Sequence, residues 1–350
     1  MKTDAKAAGP ATGFDALDRQ LIHALQLDGR APFSRIADVL GVSDQTVARR
    51  YTRHRGTGAL RVLGLADAQA LGEIEWLVRV QCTPDAAVSV AEALARRADT
   101  AWVSLMSGGT EIGAVCRAAS GAHGDAAPAD AGRYPQLLHQ LPRTPSVVGV
   151  TAHCLLHEFF GGSQSLVSKS GALTEEQIAL LSPPPPGPPA APVALGAADR
   201  RLFEALGVDG RAPLAELAAT TGWSPSTVRR RLAELRADGV LYYDIDYDLR
   251  LFGYSVMVAL WLSVEPAALA ATGEALAAHP EVAFACATTG PNNLFASVLC
   301  EDVGALYTYL TTRVAALPGV RTMESAPRIR HIKGAGPVMA TGRAAAGRRR

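Results

Sequence analysis

Residues 223–232 read Trp223-Ser-Pro-Ser-Thr-Val-Arg-Arg-Arg-Leu232, and this stretch predicts a short helix with a basic outer face. Ser224 is a good N-cap, because its hydroxyl can accept a hydrogen bond from a free backbone N–H of the first turn. Pro225 suits the first helical position, where its missing N–H costs nothing. Gly222 marks a tight turn after a preceding helix predicted over 214–220. Helix, glycine turn and capped helix together indicate a helix-turn-helix.

The apolar spacing divides the capped helix into a buried and an exposed face. The buried face carries Val228, Leu232 and Leu235. The exposed face and its flanks carry Ser226, Thr227, Arg229, Arg230, Arg231 and Ala233. Small residues at the helix start and guanidinium groups on the open face suit a DNA major groove. The predicted DNA contacts here are therefore Ser224, Ser226, Thr227, Arg229, Arg230 and Arg231.

The helix-turn-helix occurs twice in the chain. Residues 17–62 align without gaps on 198–243 at an offset of 181, with 20 identities in 46 positions. Both copies contain Asp-Gly-Arg-Ala-Pro, at 28–32 and 209–213. Unrelated sequences match at only a few such positions, so the similarity indicates an internal duplication.

The third helix of the first copy, predicted from Asp44 to about Arg55, differs from its counterpart. Asp44 replaces Pro225, and a carboxylate at the helix start repels phosphate. His54 replaces Leu235 at a core-facing position. Two interpretations stay open, a second DNA-binding helix or a degenerate structural copy. The predicted DNA contacts in this copy are Gln45, Thr46, Arg49, Arg50 and Arg53.

Each helix-turn-helix is followed by the same order of elements, β-α-β-β-α-β, which predicts a ferredoxin-like α+β sandwich. In the first copy the strands are predicted at 76–84, 100–106, 110–117 and 147–155, and the helices at 85–97 and 134–141. In the second they are predicted at 258–266, 281–288, 292–300 and 320–332, and at 267–278 and 302–316. The first copy has six extra residues, which we assign to a loop at 120–128.

The predicted organisation has seven segments. They are a disordered N-terminus (1–13), a helix-turn-helix domain (14–65), a ferredoxin-like domain (72–160), a proline-rich linker (161–194), a second helix-turn-helix domain (195–246), a second ferredoxin-like domain (252–333) and a basic disordered tail (334–350). The linker contains seven prolines within 182–192, which favour an extended, stiff spacer. A ligand for an SH3-like partner is the lesser interpretation.

The 350 residues carry a formal charge of +1, so DNA affinity must come from local clustering. Five cysteines without a C-x-x-C pair argue against a zinc site or a disulfide framework, and small buried thiols are expected. His153 and His157 share a face of a predicted strand, but no third ligand accompanies them. We expect no metal and no cofactor. No apolar signal region or long apolar run occurs, so a cytoplasmic protein is expected.

The chain resembles the Lrp/AsnC family of transcriptional regulators. The resemblance rests on Ala198-Asp-Arg-Arg-Leu-Phe-Glu-Ala-Leu206, Asp209-Gly-Arg-Ala-Pro213, Gly222-Trp-Ser-Pro-Ser-Thr-Val-Arg-Arg-Arg-Leu232 and Asp238-Gly-Val-Leu241. It implies two copies of a winged helix-turn-helix followed by a ferredoxin-like domain. It also implies DNA-binding oligomers built through the sheet domain.

Many members of the family sense an amino acid at a glycine turn between the second and third strands. The residues that this resemblance points to are Gly108, Gly109, Thr110 and Glu111 in the first copy, and Thr289, Gly290, Asn292 and Asn293 in the second. The family commonly has an aspartate where this chain has Glu111 and Asn293. Glu111 can pair with an ammonium group, whereas Asn293 supplies no charge.

The leading hypothesis is a sequence-specific DNA-binding regulator, not an enzyme, whose halves form an intramolecular pseudo-dimer. Its expected partners are double-stranded DNA, a small effector such as an amino acid and further copies of the chain, with no membrane. One alternative is an enzyme similar to the siroheme decarboxylases, although the strand over 251–260 has no histidine. The other is a partner of related regulators that does not itself bind DNA.

Overall fold

The computed structural model describes residues 13–119, 136–187 and 191–338. The predicted N-terminal disorder up to residue 12, the loop at 120–128 and the tail from 339 onward lie outside the described residues.

The first copy contains α1 (Ala16–Leu27), α2 (Phe33–Leu40), α3 (Asp44–Gly56), β1 (Leu60–Ala66), β2 (Glu73–Cys82), α4 (Ala87–Ala95), β3 (Thr100–Met106), β4 (Glu111–Ala119), α5 (Gln136–Gln140) and β5 (Val147–Phe160). Then follows α6 (Glu175–Leu181). The second copy contains α7 (Ala197–Val208), α8 (Leu214–Thr221), α9 (Pro225–Ala237), β6 (Leu241–Tyr247), β7 (Val256–Val264), α10 (Leu269–Ala277), β8 (Val282–Thr288), β9 (Leu294–Cys300), α11 (Val303–Tyr309) and β10 (Val320–His331).

The two helix-turn-helix units have helices and strands of equal length at a constant offset of 181 residues. The same local signals produce both. Ser43 and Ser224 cap α3 and α9, their hydroxyls accepting from the backbone N–H of Thr46 at 3.2 Å and of Thr227 at 3.1 Å. Gly222, which ends α8, has a left-handed backbone with φ of 79°, as a helix C-cap often requires. The predicted cap, turn and buried face of α9 are therefore confirmed.

The third helix of each unit, α3 or α9, is its recognition helix, and the strand that follows it pairs with its counterpart from the other copy. β1 and β6 form a two-stranded antiparallel ribbon, in register from Leu60 opposite Tyr247 to Ala66 opposite Leu241. One continuous apolar core holds side chains of both units, including Leu25, Leu206 and Tyr243. Each unit thus completes its small sheet with the other copy's strand, and the two units form one body.

Charged side chains reinforce this pairing reciprocally. The guanidinium of Arg30 donates to the carbonyls of Gly210 at 2.8 Å and Ala212 at 2.9 Å, and that of Arg211 donates to the carbonyl of Gly29 at 2.7 Å. These contacts join the two Asp-Gly-Arg-Ala-Pro elements. That repeated motif is therefore an interface between the copies.

The recognition helices are also anchored across the pseudo-dimer. Arg55, near the end of α3, pairs with Asp209 of the second copy at 2.6 Å. Its counterpart Arg236, near the end of α9, pairs with Asp28 of the first copy at 3.2 Å. Because each helix is tied to the opposite unit, their relative placement is fixed.

The two sheet domains close into one eight-stranded barrel, with the order β10-β3-β4-β2-β5-β8-β9-β7. Each copy supplies four strands in ferredoxin-like order, and the last strand of each pairs with the other copy. The pairs at these junctions are β5 with β8 and β10 with β3. The predicted α+β class, with two helix-turn-helix units and ferredoxin-like sheet domains, is confirmed.

Separate apolar clusters lie between the sheet strands and helices of each copy. In the first copy Ala91 and Leu94 of α4 cover strand residues such as Val80. In the second copy Leu276 of α10 and Tyr309 of α11 pack in the same way. A smaller cluster joins Leu77 of the first copy with Trp261 and Cys286 of the second.

Four of the five cysteine side chains are buried, as expected for small apolar thiols.

β5 is longer than the predicted span of 147–155. It continues to Phe160, because its second half pairs with β8 of the other copy, from Leu155 opposite Thr288 to Phe160 opposite Ala285. This pairing is a contact between copies, which the pattern of a single repeat does not contain. The predicted helix at 302–316 corresponds to α11 followed by a π-helical turn over Leu310–Val314.

Part of the predicted linker is folded. Within 161–194 the chain forms α6, whose Leu181 is fully buried and whose Gln177 donates to the carbonyl of Val39 in α2 at 3.2 Å. Lys169 donates to carbonyls at the end of α10 and the start of β8, Ala277 at 2.5 Å and Val282 at 2.7 Å. This segment packs on both the helix-turn-helix pair and the second sheet domain, so the described part of the predicted linker is not an extended spacer throughout. Nowhere in the described chain is a helix both long and apolar enough to span a bilayer.

Replacing Gly29 with alanine tests the tight packing between the copies. A Cβ at Gly29 would lie 2.6 Å from Cβ of Tyr243 and 2.9 Å from a methyl group of Val62. Overpacking of this kind costs about 1–3 kcal/mol. We expect Gly29→Ala to lower the urea midpoint of the full chain. Gly56→Ala is the matched control, since a Cβ there meets nothing within 4 Å. Equal midpoints for the two variants would contradict the packing described.

Burial raises the pKa of Asp244, on β6 of the ribbon, to about 7. The pKa of an aspartate in an unfolded chain is about 4, so between about pH 4 and 7 the folded state holds a proton that the unfolded state lacks. Stability therefore falls as the pH rises through this window. We expect Asp244→Asn, which stays neutral, to be the more stable protein at pH 8 by about 1 kcal/mol or more.

The measurement is the thermal midpoint of both proteins at pH 5.5 and pH 8. Asp38→Asn, at an exposed position of α2, serves as the control and should leave the pH dependence intact. If Asp244→Asn showed the same pH dependence as the unsubstituted chain, the carboxyl would not be buried as described.

Candidate nucleic-acid interface

The exposed face of α9 carries the predicted contacts of the second copy. Ser226, Arg229 and Arg230 are exposed, while Val228, Leu232 and Leu235 are buried beneath them. Arg230 is 70% exposed and pairs with Glu234 one turn later at 2.8 Å. Such a surface pair is worth at most about 1 kcal/mol, so the guanidinium can leave it for a phosphate or a base.

Arg229 lies on the flank of α9 beside two other arginines. It lines a groove together with Arg30 and Arg236, and the floor of the groove includes Leu232 and Tyr243. Within the described ranges Arg229 has no ion-pair partner. Three arginine side chains therefore line one groove beside the exposed face of this helix.

Arg231 has a different role from the one predicted. Its guanidinium donates to both carboxylate oxygens of Asp199 in α7, at 2.8 and 3.2 Å, and to Glu234 at 3.3 Å. The hydrogen bond to Asp199 is the largest of the causes that raise the pKa of Arg231. The side chain is thus a strut between the first and third helices of its unit. Ser224 and Thr227 are likewise engaged, their hydroxyl oxygens 2.9 Å apart at the helix start.

The first copy repeats this arrangement on α3. Gln45, Arg49 and Arg53 are exposed, whereas the hydroxyl of Thr46 lies 2.9 Å from that of Ser43. Arg50 is the counterpart of Arg231. It donates to Asp15 at 2.6 Å and to Asp18 at 2.8 Å, so it too is a strut instead of a free DNA contact.

His54 stands where the second copy has a buried leucine, and in the structure it fits this core-facing position. The ring is buried, and its Nε2 lies 2.9 Å from the carboxylate of Asp18. Phe14 packs edge-on against it, with ring centroids 4.9 Å apart. α3 is as long as α9, and each helix carries four arginines and one carboxylate.

The first glycine turn, over Ser107–Glu111, is exposed at Gly108 and Thr110, and Gly109 is partly exposed. Glu111 itself is buried. It accepts from Nε of Arg79 and from the hydroxyl of Ser107, the latter at 2.7 Å. Arg79 also bonds Glu324 of the second copy at 2.9 Å. Glu111 was expected to be able to pair with the ammonium of an effector, but its carboxylate is buried and already hydrogen-bonded to Arg79 and Ser107.

The second glycine turn packs against β5 of the first copy. The carbonyl of Thr289 lies 2.8 Å from Nδ1 of His153, and its hydroxyl accepts from the backbone N–H of Cys154 at 2.9 Å. Gly290 faces the same ring, since a Cβ there would lie 2.4 Å from Nδ1 of His153. The carbonyl of Asn292 accepts from a threonine hydroxyl within the turn.

Both polar atoms of the Asn293 side chain are hydrogen-bonded within its own sheet. Its side chain accepts from the backbone N–H of Val264 at 2.8 Å and donates to the carbonyl of the same residue at 2.9 Å. Two of the residues predicted to bind an effector in this copy, Thr289 and Asn293, are therefore hydrogen-bonded to strands of the barrel. His157 lies against Phe159, and among the described residues no three His, Cys, Asp or Glu side chains form a group suited to a metal ion.

Asp28, Gly29 and Arg30 and their counterparts at 209–211 have a role that was not predicted. They mark the duplication in the sequence, and in the structure they join the two units. The available signal was their identity in both copies.

Families of known proteins match three parts of the chain. The AsnC-type helix-turn-helix domain matches residues 14–53 and again 197–236, and the Lrp/AsnC ligand binding domain matches 257–338. The HTH-type transcriptional regulator FL11 of Pyrococcus horikoshii is 28% identical over 129 residues, which cover 37% of this chain and 85% of that protein. The regulatory protein AsnC of Haemophilus influenzae is 27% identical over 142 residues, covering 39% and 95%.

The fold is also similar to that of a solved structure over most of both chains. The crystal structure of the siroheme decarboxylase NirDL superposes with a TM-score of 0.62 and covers 91% of this chain and 93% of its own. The sequences are 13% identical, so this similarity shows the fold alone. The chain thus carries the AsnC-type helix-turn-helix domain twice and a Lrp/AsnC ligand binding domain, and it is similar in sequence to transcriptional regulators of the Lrp/AsnC type.

Proposed function

We propose that this protein is a sequence-specific DNA-binding transcriptional regulator whose two helix-turn-helix units bind one duplex as an intramolecular pseudo-dimer. The observation that carries the proposal is the exposed basic face on both α3 and α9. The faces belong to helices that are capped, buried on one side and anchored across the two copies.

The charge distribution supports this proposal. The chain as a whole is nearly neutral, yet Arg229, Arg230 and Arg49 stand exposed on the recognition helices. Phosphate contacts release counterions, so affinity that depends on such side chains falls steeply with salt. The struts Arg50 and Arg231 hold the helices in place for these contacts.

The fixed relation between the helices supports binding to a single duplex. Helix-turn-helix dimers place their recognition helices in major grooves about one helical turn apart on one face of the DNA. Here one covalent chain supplies both helices, and the shared core prevents the units from separating. Binding therefore requires no association of two chains.

The fold shared with NirDL does not by itself favour a decarboxylase over a regulator. The relatives aligned with this chain are regulators, and the exposed arginines of α3 and α9 lie on the helix-turn-helix units and not on the barrel. The interpretation as a partner that does not bind DNA is tested by the same experiment as the main proposal.

We expect Arg230→Ala to weaken duplex binding about ten-fold or more, as the loss of a base or phosphate contact does. The duplexes are those that the full chain enriches from fragmented genomic DNA, and the measurement is fluorescence anisotropy between 50 and 300 mM salt. Affinity should fall linearly with salt on logarithmic axes. Arg321→Ala is the matched control, since this arginine is 65% exposed but lies on the barrel.

Equal affinity of the Arg230→Ala and Arg321→Ala proteins would contradict the assignment of α9. Failure of the intact chain to bind any duplex would overturn DNA binding altogether and favour the partner interpretation.

Arg231→Ala should lower the free energy of unfolding by about 1.5–3 kcal/mol, which is what hydrogen bonds to a charged group contribute, because Asp199 loses its partner.

We further propose that a small effector, such as an amino acid, binds at the first glycine turn. The match of the second sheet domain to a ligand binding domain supports a ligand-binding origin of the duplicated unit. The first turn offers exposed backbone at Gly108 and the exposed side chain of Thr110, whereas on the second turn Thr289 and Asn293 are already hydrogen-bonded to β5 and β7.

A thermal-shift screen with the twenty amino acids tests this site. A ligand at a hundred times its Kd stabilises a folded protein by about 2.7 kcal/mol, so the thermal midpoint should rise with at least one of them. We expect Thr110→Arg to abolish the shift and Asn292→Arg, on the second turn, to retain it. No shift with any amino acid, or loss of the shift in Asn292→Arg alone, would contradict the proposal.

A further inference from the structure

The exposed faces of the two recognition helices carry different chemical groups at equivalent positions. Exposed Gln45 of α3 corresponds to exposed Ser226 of α9, and partly exposed Ala48 corresponds to exposed Arg229. The two helices nevertheless have the same number of charged groups of these kinds, because α3 and α9 each carry four arginines and one carboxylate. The copies have thus kept their charge while the groups facing outward have changed.

The structure places these positions equivalently on the two helices. Both helices are 13 residues long, begin at a serine cap and are held by an arginine strut to the first helix of their own unit. Their ends are tied to the opposite copy through Arg55 and Arg236. When both helices enter the major groove, equivalent positions therefore meet equivalent base steps of the two half-sites.

The chemistry at those positions predicts different bases. An arginine recognises guanine by two hydrogen bonds to O6 and N7, and a glutamine recognises adenine through N6 and N7. Arg229 has no ion-pair partner within 13–119, 136–187 and 191–338, so its guanidinium is available. Ala48 has no polar group with which to make the equivalent contact, and Ser226 is too short to replace Gln45 in a bidentate pair.

Two further differences between α3 and α9 also make the two half-sites unequal. Asp44 places a carboxylate in the first turn of α3, where α9 has Pro225, so the start of α3 disfavours a nearby phosphate. Arg230 is paired with Glu234, whereas its counterpart Arg49 is followed one turn later by Arg53. The two helices therefore differ in how they meet the backbone as well as the bases.

We infer that the protein recognises an asymmetric operator, in which α9 reads a guanine-containing half-site through Arg229 and α3 reads an adenine-containing half-site through Gln45. This inference rests on the proposed DNA-binding function. Because both helices belong to one chain, an asymmetric operator also fixes the direction in which the protein lies on the DNA. A symmetric homodimer cannot provide such a direction.

The test is selection of duplexes from a random-sequence library by the full chain, followed by anisotropy with three designed sites. The first carries the two selected half-sites, and the other two carry either half-site as a palindrome at the same spacing. We expect both palindromes to bind about ten-fold or more weakly than the asymmetric site, the effect of losing a bidentate base contact. Arg229→Ala should relax base preference in one half-site only, and Gln45→Ala in the other only.

Selection of a palindrome, or relaxation of both half-sites equally by Arg229→Ala, would overturn the inference and leave DNA binding intact. Selection of no duplex at all would overturn the proposed function and the inference with it. Thermal midpoints of the two variants, expected to be unchanged at these exposed positions, confirm that each variant is folded.

Discussion

The two helix-turn-helix units depend on a shared interface that neither can form alone. β1 and β6 are single strands that pair only with each other, and the core beneath them contains residues of both copies. Arg30 and Arg211 then bond backbone carbonyls across the interface, where charge-assisted hydrogen bonds are strong. Separating the units would leave these guanidinium groups and carbonyls unpaired and expose the core. The relative placement of the recognition helices follows from this interface.

Fusion of the two copies removes the requirement that they be identical. In the barrel, Arg79 and Trp261 occupy equivalent positions of the two repeats, yet they contact each other, with the guanidinium 5.1 Å from the ring centroid. Arg79 also joins Glu111 of its own copy to Glu324 of the other. A symmetric dimer would place two arginines or two tryptophans there. The same freedom allows the two recognition helices to differ in the residues they expose.

The sequence predicted the elements of each repeat well, because caps, glycine turns and apolar spacing are local signals. Ser224, Gly222 and the buried face of α9 are examples. It predicted that the two halves form a pseudo-dimer, but not which residues join them. The extension of β5, the paired strands β1 and β6 and the hydrogen bonds between Thr289 and β5 all depend on partners distant in the chain. Arg50 and Arg231 were predicted to contact DNA because helical spacing places them on a flank, but spacing alone does not reveal that Asp18 and Asp199 lie beneath them.

Hydroxyl-radical footprinting of the full chain on a selected duplex tests the central claim most directly. An intramolecular pseudo-dimer predicts two protected segments on one face of the DNA, about one helical turn apart, at a stoichiometry of one helix-turn-helix pair per site. Substitutions on α3 should remove one segment, and substitutions on α9 the other. A single protected segment that persists when the exposed face of α3 is replaced would contradict the account.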